Sequence, residues 1–187
     1  MAAPRLKGSV LRTRLAFVEQ HAGKEALERV LARLPAHQAE SLRSILSANW
    51  YPFELGTQLD RAVVDELGGG RPEFFLRLGA ESADRNLGGV HKVFIKSDPH
   101  RFLAQAPTIY SLYYDRGNRT YERTAEREGV LTTHEAETFS TADCLTVVGW
   151  HVRALELCGA QGVRIVEEEC RAQGGPVCRY RVSWKSP

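Results

Sequence analysis

Residues 177–184, VCRYRVSW, put Cys178, Tyr180, Val182 and Trp184 on one parity and Arg179, Arg181 and Ser183 on the other. A period of two with apolar and charged sides describes a strand with one face on a core. The Gly174-Gly175-Pro176 turn joins it to a second strand, Gly162 to Cys170. The chain therefore closes on a hairpin whose apolar face must be covered, and the rest of the sequence has to supply the cover.

Upstream, Arg119 to Glu126 and Val130 to His134 read as two further strands around a turn at Glu128-Gly129. Ser140 with Asp143 three residues later forms a capping box. It opens a long helix with Leu145, Val148, Val152 and Leu155 on one face and its end near Gly159. Residues 118–185 thus predict strand-strand-helix-strand-strand.

Residues 8–115 predict helices. Leu27, Val30, Leu31 and Leu34 make one apolar stripe ending at Pro35, and Leu55, Leu59, Ala62, Val63 and Leu67 make another stopped by Gly68-Gly69-Gly70. Another helix is expected from Pro72, with Phe74, Phe75 and Leu78, and a last one from Asp98-Pro99 to Tyr113, bent or broken at Pro107. Leu11, Leu15 and Val18 form a further stripe, suited to a core or to a dimer surface. The fold class expected is α+β: a helical layer packed on a four-stranded antiparallel sheet with one long helix, residues 1–187 forming a single domain.

The 25 basic and 23 acidic residues are interspersed, with a net charge of +2. Nucleic-acid grooves and polybasic membrane arms need clustered charge, so neither is expected. No run approaches the roughly 18 apolar residues of a membrane span, and the start lacks the apolar core of a signal peptide. These features predict a soluble cytoplasmic protein, where cysteines are thiols or metal ligands more often than disulfides.

All four cysteines, 144, 158, 170 and 178, fall in the second half. The series Cys144-x22-Glu167-x2-Cys170-x7-Cys178 offers three thiolates and a carboxylate, a reasonable tetrahedral zinc shell. The same residues also read as small core side chains, and Cys178 lies on the apolar parity of its strand. A regular strand would point Glu167 and Cys170 to opposite faces, so the metal reading requires a bulge or strand end between them, or Glu168 or Glu169 in its place. Cys158 fits no such set.

The stretch ECRAQGGPVCRY (169–180), with CLTVVGW (144–150) upstream, resembles the 4-vinyl reductase domain family of bacterial and archaeal ligand-binding domains. The phenol-sensing members hold zinc with three cysteines and a glutamate. Carried onto this chain, the resemblance implies Cys144, Glu167, Cys170 and Cys178 as ligands of a structural zinc. LKGSVLRTRLAFVE, NWYPFELGTQLDRAVVDELGGG and YYDRG resemble a myxobacterial paralogous family of unknown function in the same superfamily. That superfamily also includes heme-nitric-oxide-binding domains and vesicle-tethering subunits. It implies a ligand-binding or partner-binding module.

His91, in GGVHKVF, could ligate heme, but the Tyr-x-Ser-x-Arg motif of the heme-binding members is missing, and YSLYYDRG does not supply it. Heme is therefore not expected. No P-loop follows the three glycines and no G-x-S-x-G elbow occurs, so no enzyme is predicted. Aromatic residues concentrate in the helical half, and Trp50, Phe74, Tyr110, Tyr113 and Trp150 are the candidate lining of an apolar pocket for a small aromatic or lipid-like ligand. The expected function is a non-catalytic, sensor-like small-molecule-binding domain that signals through a homodimer or a protein partner. The alternatives are a protein-interaction module of the same fold and a tetrapyrrole-handling enzyme or carrier.

Overall fold

The computed structural model describes residues 3–89, 91–136 and 140–185. The domain bounds expected at 1 and 187 lie outside the described residues.

The first half is helical but not wholly so. β1 (Arg5–Lys7) leads into α1 (Gly8–Ala32), which kinks at Gly23 where φ is +82°. After α2 (Ala36–Arg43), β2 (Trp50–Pro52) returns to pair antiparallel with β1, with Leu6 opposite Tyr51. Three-residue strands are too short to show alternation, so the sequence reading assigned this segment to the helices. α3 (Phe53–Leu67) stops at the glycines, two of which take positive φ. α4 (Phe74–Gly88) begins two residues beyond Pro72. The expected 98–113 helix is two, α5 (Pro99–Leu103) and α6 (Ala106–Tyr113), with Pro107 in the first turn of the second. Proline lacks the N–H that a continuous helix would need there.

The second half matches the predicted order. β3 (Asn118–Ala125) and β4 (Glu128–His134) form a hairpin, α7 (Thr141–Leu157) follows, and β5 (Arg164–Glu169) and β6 (Cys178–Ser183) close the chain. The sheet order is β3-β4-β6-β5, antiparallel throughout. The hairpin turn falls at Glu126-Arg127, and Glu128-Gly129 belongs to β4. Leu131 faces Tyr180 across β4 and β6, and both are buried with Val182 on the inner face. The cap of α7 is as predicted: the Asp143 N–H donates to Ser140 Oγ at 3.0 Å.

Its buried face is not as predicted. Leu145, Val148 and Val152 are only half-buried, whereas Cys144, Val147, His151 and Ala154 are buried along with Leu155. α7 packs against both α4 and the core beneath the sheet, so its polar-looking residues are enclosed too. Leu11 and Val18 are fully buried against α3 and α4, which makes that stripe core and not an exterior surface. Among the described residues no helix is long and apolar enough to cross a membrane.

Candidate functional site

Three elements and the segment after β5 bring the predicted metal ligands together. Cys144 lies in the first turns of α7, Glu167 on β5, Cys170 just after β5, and Cys178 at the start of β6. Cys144 Sγ is 3.5 Å from Cys170 Sγ and 4.0 Å from Cys178 Sγ, and one ligand atom from each of the four residues lies within 4.8 Å of the others. Sulfurs held about 2.3 Å from a tetrahedral ion are about 3.8 Å apart, so the spacing is that of a metal shell. The three cysteines are buried and free of disulfides.

A bulge resolves the parity objection. Glu167 pairs with Tyr180 and Glu169 with Arg179, leaving Glu168 as an extra residue in β5, and the strand ends at Glu169. Glu168 and Glu169 are engaged by Arg181 at 2.6 Å and Arg179 at 3.3 Å. Glu167 Oε1, by contrast, is buried without a hydrogen-bond partner. An orphaned carboxylate oxygen facing three sulfurs lacks a compensating charge. The protons are shared unevenly. The Cys144 thiol donates toward Cys178, which raises Cys144 and holds Cys178 below the usual thiol range. The Arg171 N–H, 3.4 Å from Cys178 Sγ, adds to this, while burial and then the Glu167 carboxylate push Cys170 up.

A cavity of about 60 Å³ lies between α1, α4, α5, α6 and α7. Tyr110, Tyr113 and Trp150 line it, with Phe102 stacked on Trp150 at 6.0 Å. Trp50 and Phe74 are elsewhere. Trp50 sits on β2 beneath Lys7 Nζ, and Phe74, at the start of α4, meets Phe17 edge-on at 6.1 Å in the other core. α4 reaches the cavity only with Gly79, Ser82 and Asn86, more than a turn further on. His91 stays outside the lining, its Nδ1 2.6 Å from the Tyr113 hydroxyl.

Sequence reasoning missed the polar lining: Arg14, Arg119 and His151. Arg14 Nε donates to Asp60 at 2.7 Å and its Nη1 bonds Ser82 Oγ. Arg119 keeps 7% of its surface exposed, donates from Nε to Thr133 Oγ1 at 2.9 Å, and stands 5.0 Å over the Tyr110 ring. His151 Nδ1 donates to the Val147 carbonyl at 2.9 Å, which leaves the lone pair on Nε2. Burial, and then the charge of Arg119, lower the His151 pKa to about 3, so the imidazole is neutral. Its spacing from Cys144 and Val147 on one helix face was the available signal.

Solved structures share the fold. The Fe(II) unliganded H-NOX protein from K. algicida matches with a TM-score of 0.73 at 16% identity, covering 97% of both chains. An H-NOX protein from S. oneidensis in the Fe(II)NO ligation state matches at 0.71 and 15%, covering 96% of this chain and 99% of that one. A structure described as probing heme distortion in the H-NOX family matches at 0.73 and 12%, covering 97% and 96%. Identities this low establish the fold alone. They nevertheless correct the cofactor expectation. Solved proteins of this fold are described by their Fe(II) state and by heme, so the expectation that heme is absent does not stand. No curated protein matches the chain. A family model described as "Protein of unknown function (DUF2378)" matches residues 37–185, four-fifths of the sequence, and the chain belongs to that family.

Proposed function

We propose that this protein is a ligand-binding module of the sensor type, in which α7 couples an occupied cavity to the cysteine cluster. The observation that carries the reading is the double duty of α7. Val147, Trp150 and His151 line the cavity, while Cys144, one turn earlier, belongs to the Cys/Glu cluster. A ligand pressing on Trp150 acts on the same rigid helix that the cluster anchors. The cluster is read as a closed structural site for a thiophilic cation, with Cys144, Glu167, Cys170 and Cys178 as ligands. Four protein ligands leave no open position for substrate or water, which favours structure over catalysis.

Heme is the group that the fold neighbours carry. Here His151 offers a neutral nitrogen at the cavity and Arg119 a buried cation suited to a propionate. A porphyrin is far larger than this cavity of about 60 Å³, so its entry would require α6 and α7 to part. Hemin titration tests this directly: a Soret shift that His151→Ala abolishes assigns the ligand. Binding of small apolar probes without a Soret shift keeps the sensor reading and removes heme from it. No response to hemin or to any probe overturns the reading. The signal would leave through a second copy or a partner protein, and light scattering with and without ligand reports the former.

A further inference from the structure

Arg119 is the cavity's anomaly. It is buried at the start of β3, it lines the cavity, and among the described residues no carboxylate forms an ion pair with it. Arg14, on the same cavity, is neutralised by Asp60. Asp143, a carboxylate close enough to feel the charge of Arg119, accepts instead from the Tyr114 hydroxyl at 3.1 Å. No Asp or Glu lines the cavity among the described residues. The Thr133 hydroxyl and the Tyr110 ring are the neighbours that hold the guanidinium, and neither carries a negative charge.

A buried cation without a counter-charge is costly, and an interior normally supplies one or excludes the group. Resting on the sensor reading above, we propose that the ligand of this cavity supplies it: the natural ligand is a small monocarboxylate, bound with its carboxylate on Arg119 and its apolar tail against Trp150, Phe102 and Ile109. A guanidinium presents paired N–H donors in a plane that matches a carboxylate, which gives geometry as well as charge. Size sets the rest. A cavity of about 60 Å³ has room for about four to six water-sized groups. That suits a short-chain acid. The His151 lone pair, on the same cavity, accepts a hydroxyl from a hydroxy acid but repels a second carboxylate, so dicarboxylates are disfavoured.

The test uses the full chain and three four-carbon probes, butyrate, its isostere butyramide and the neutral alcohol 1-butanol, followed by thermal shift and calorimetry. Butyrate is expected to bind at least tenfold more tightly than the amide or the alcohol. Arg119→Gln should remove that preference while leaving weak alcohol binding intact. Equal binding of all three probes overturns the carboxylate assignment and leaves the sensor reading standing. Binding of none overturns the carboxylate assignment, and the sensor reading falls with it only where hemin also gives no response. The comparison of probes on the unsubstituted protein decides even where Arg119→Gln does not fold.

Discussion

Gly79 on α4 and Gly149 on α7 face each other's backbones. A β-carbon at Gly79 would overlap the Thr146 carbonyl and lie 2.7 Å from Trp150 N, and one at Gly149 would overlap the Leu76 carbonyl. The two helices therefore cross closer than any side chain permits, and this crossing sets the cavity wall. Trp150 and His151 follow directly on Gly149, and Ser82 lies one turn beyond Gly79.

Alanine at Gly149 is consequently expected to destabilise the fold. The obstacle is main chain, which cannot swing aside, so the helices must separate. Overpacking of this kind costs about 1–3 kcal/mol, and a chain of this length loses roughly 2–4 °C of Tm per kcal/mol. Gly88→Ala, at the end of α4 with open space around it, is the control and should leave Tm unchanged or slightly raised. Equal Tm for both variants would remove the close crossing as a structural constraint.

The Arg14–Asp60 pair is buried, with side chains 7% and 12% exposed. Arg14→Ala strands the Asp60 carboxylate, and breaking a buried pair from one side costs about 3–5 kcal/mol. The double variant Arg14→Met/Asp60→Leu should be more stable than Arg14→Ala in urea unfolding. If the single variant unfolds at the wild-type urea concentration, the pair contributes nothing.

The cysteine cluster is testable with cobalt(II). Bound by three thiolates and a carboxylate, it should give intense near-ultraviolet charge-transfer absorption at about one equivalent. Cys158→Ser should preserve the signal, because that residue is buried away from the cluster. Cys170→Ser should abolish it, and Glu167→Gln should weaken binding. Removal of the ion should lower Tm, since metal binding to a folded site is folding free energy. A cobalt spectrum without thiolate bands would sink the proposed ligand set.

His151 makes stability depend on pH in a direction fixed by its burial. Its folded pKa, about 3, lies below the unfolded value near 6.5. At pH 7 neither state binds the proton, and there is no penalty. As pH falls below about 6.5 the unfolded state takes up a proton that the folded state refuses, so stability declines toward pH 3. The slope approaches about 1.4 kcal/mol per pH unit, which amounts to about 1.6 kcal/mol between pH 6.5 and 5. His151→Asn, which keeps a donor toward the Val147 carbonyl, should flatten the urea-midpoint profile in that window. An unchanged profile would mean that His151 is protonated when folded.

The sequence by itself determined the elements that local rules govern. Alternation along 177–184, the Ser140 cap and the glycine stop after Leu67 each act over a few residues, and the structure has them where they were read; the break expected at Pro107 falls just ahead of it, at residues 104–105. The candidate ligands Cys144, Glu167, Cys170 and Cys178 came from the resemblance of ECRAQGGPVCRY and CLTVVGW, because type and spacing alone also suit small core side chains and leave Glu168 and Glu169 as alternatives. The two hairpins were legible in this way, but their order β3-β4-β6-β5 rests on the long-range pairing of β4 with β6.

Only the tertiary structure decided the rest, and in each case the reason is a contact between distant segments. The bulge that turns Glu167 toward the sulfurs depends on pairing with β6, and the identity of that glutamate depends on Arg179 and Arg181 engaging its neighbours. Aromatic content could not sort Trp150 from Trp50, because burial is set by what packs on the ring and not by the ring itself. Arg119 and His151 look like surface residues in a linear reading. His151 is enclosed where two glycines 70 positions apart let α4 and α7 meet backbone to backbone, and Arg119 where the Thr133 hydroxyl and the Tyr110 ring hold it on the far wall of the same cavity.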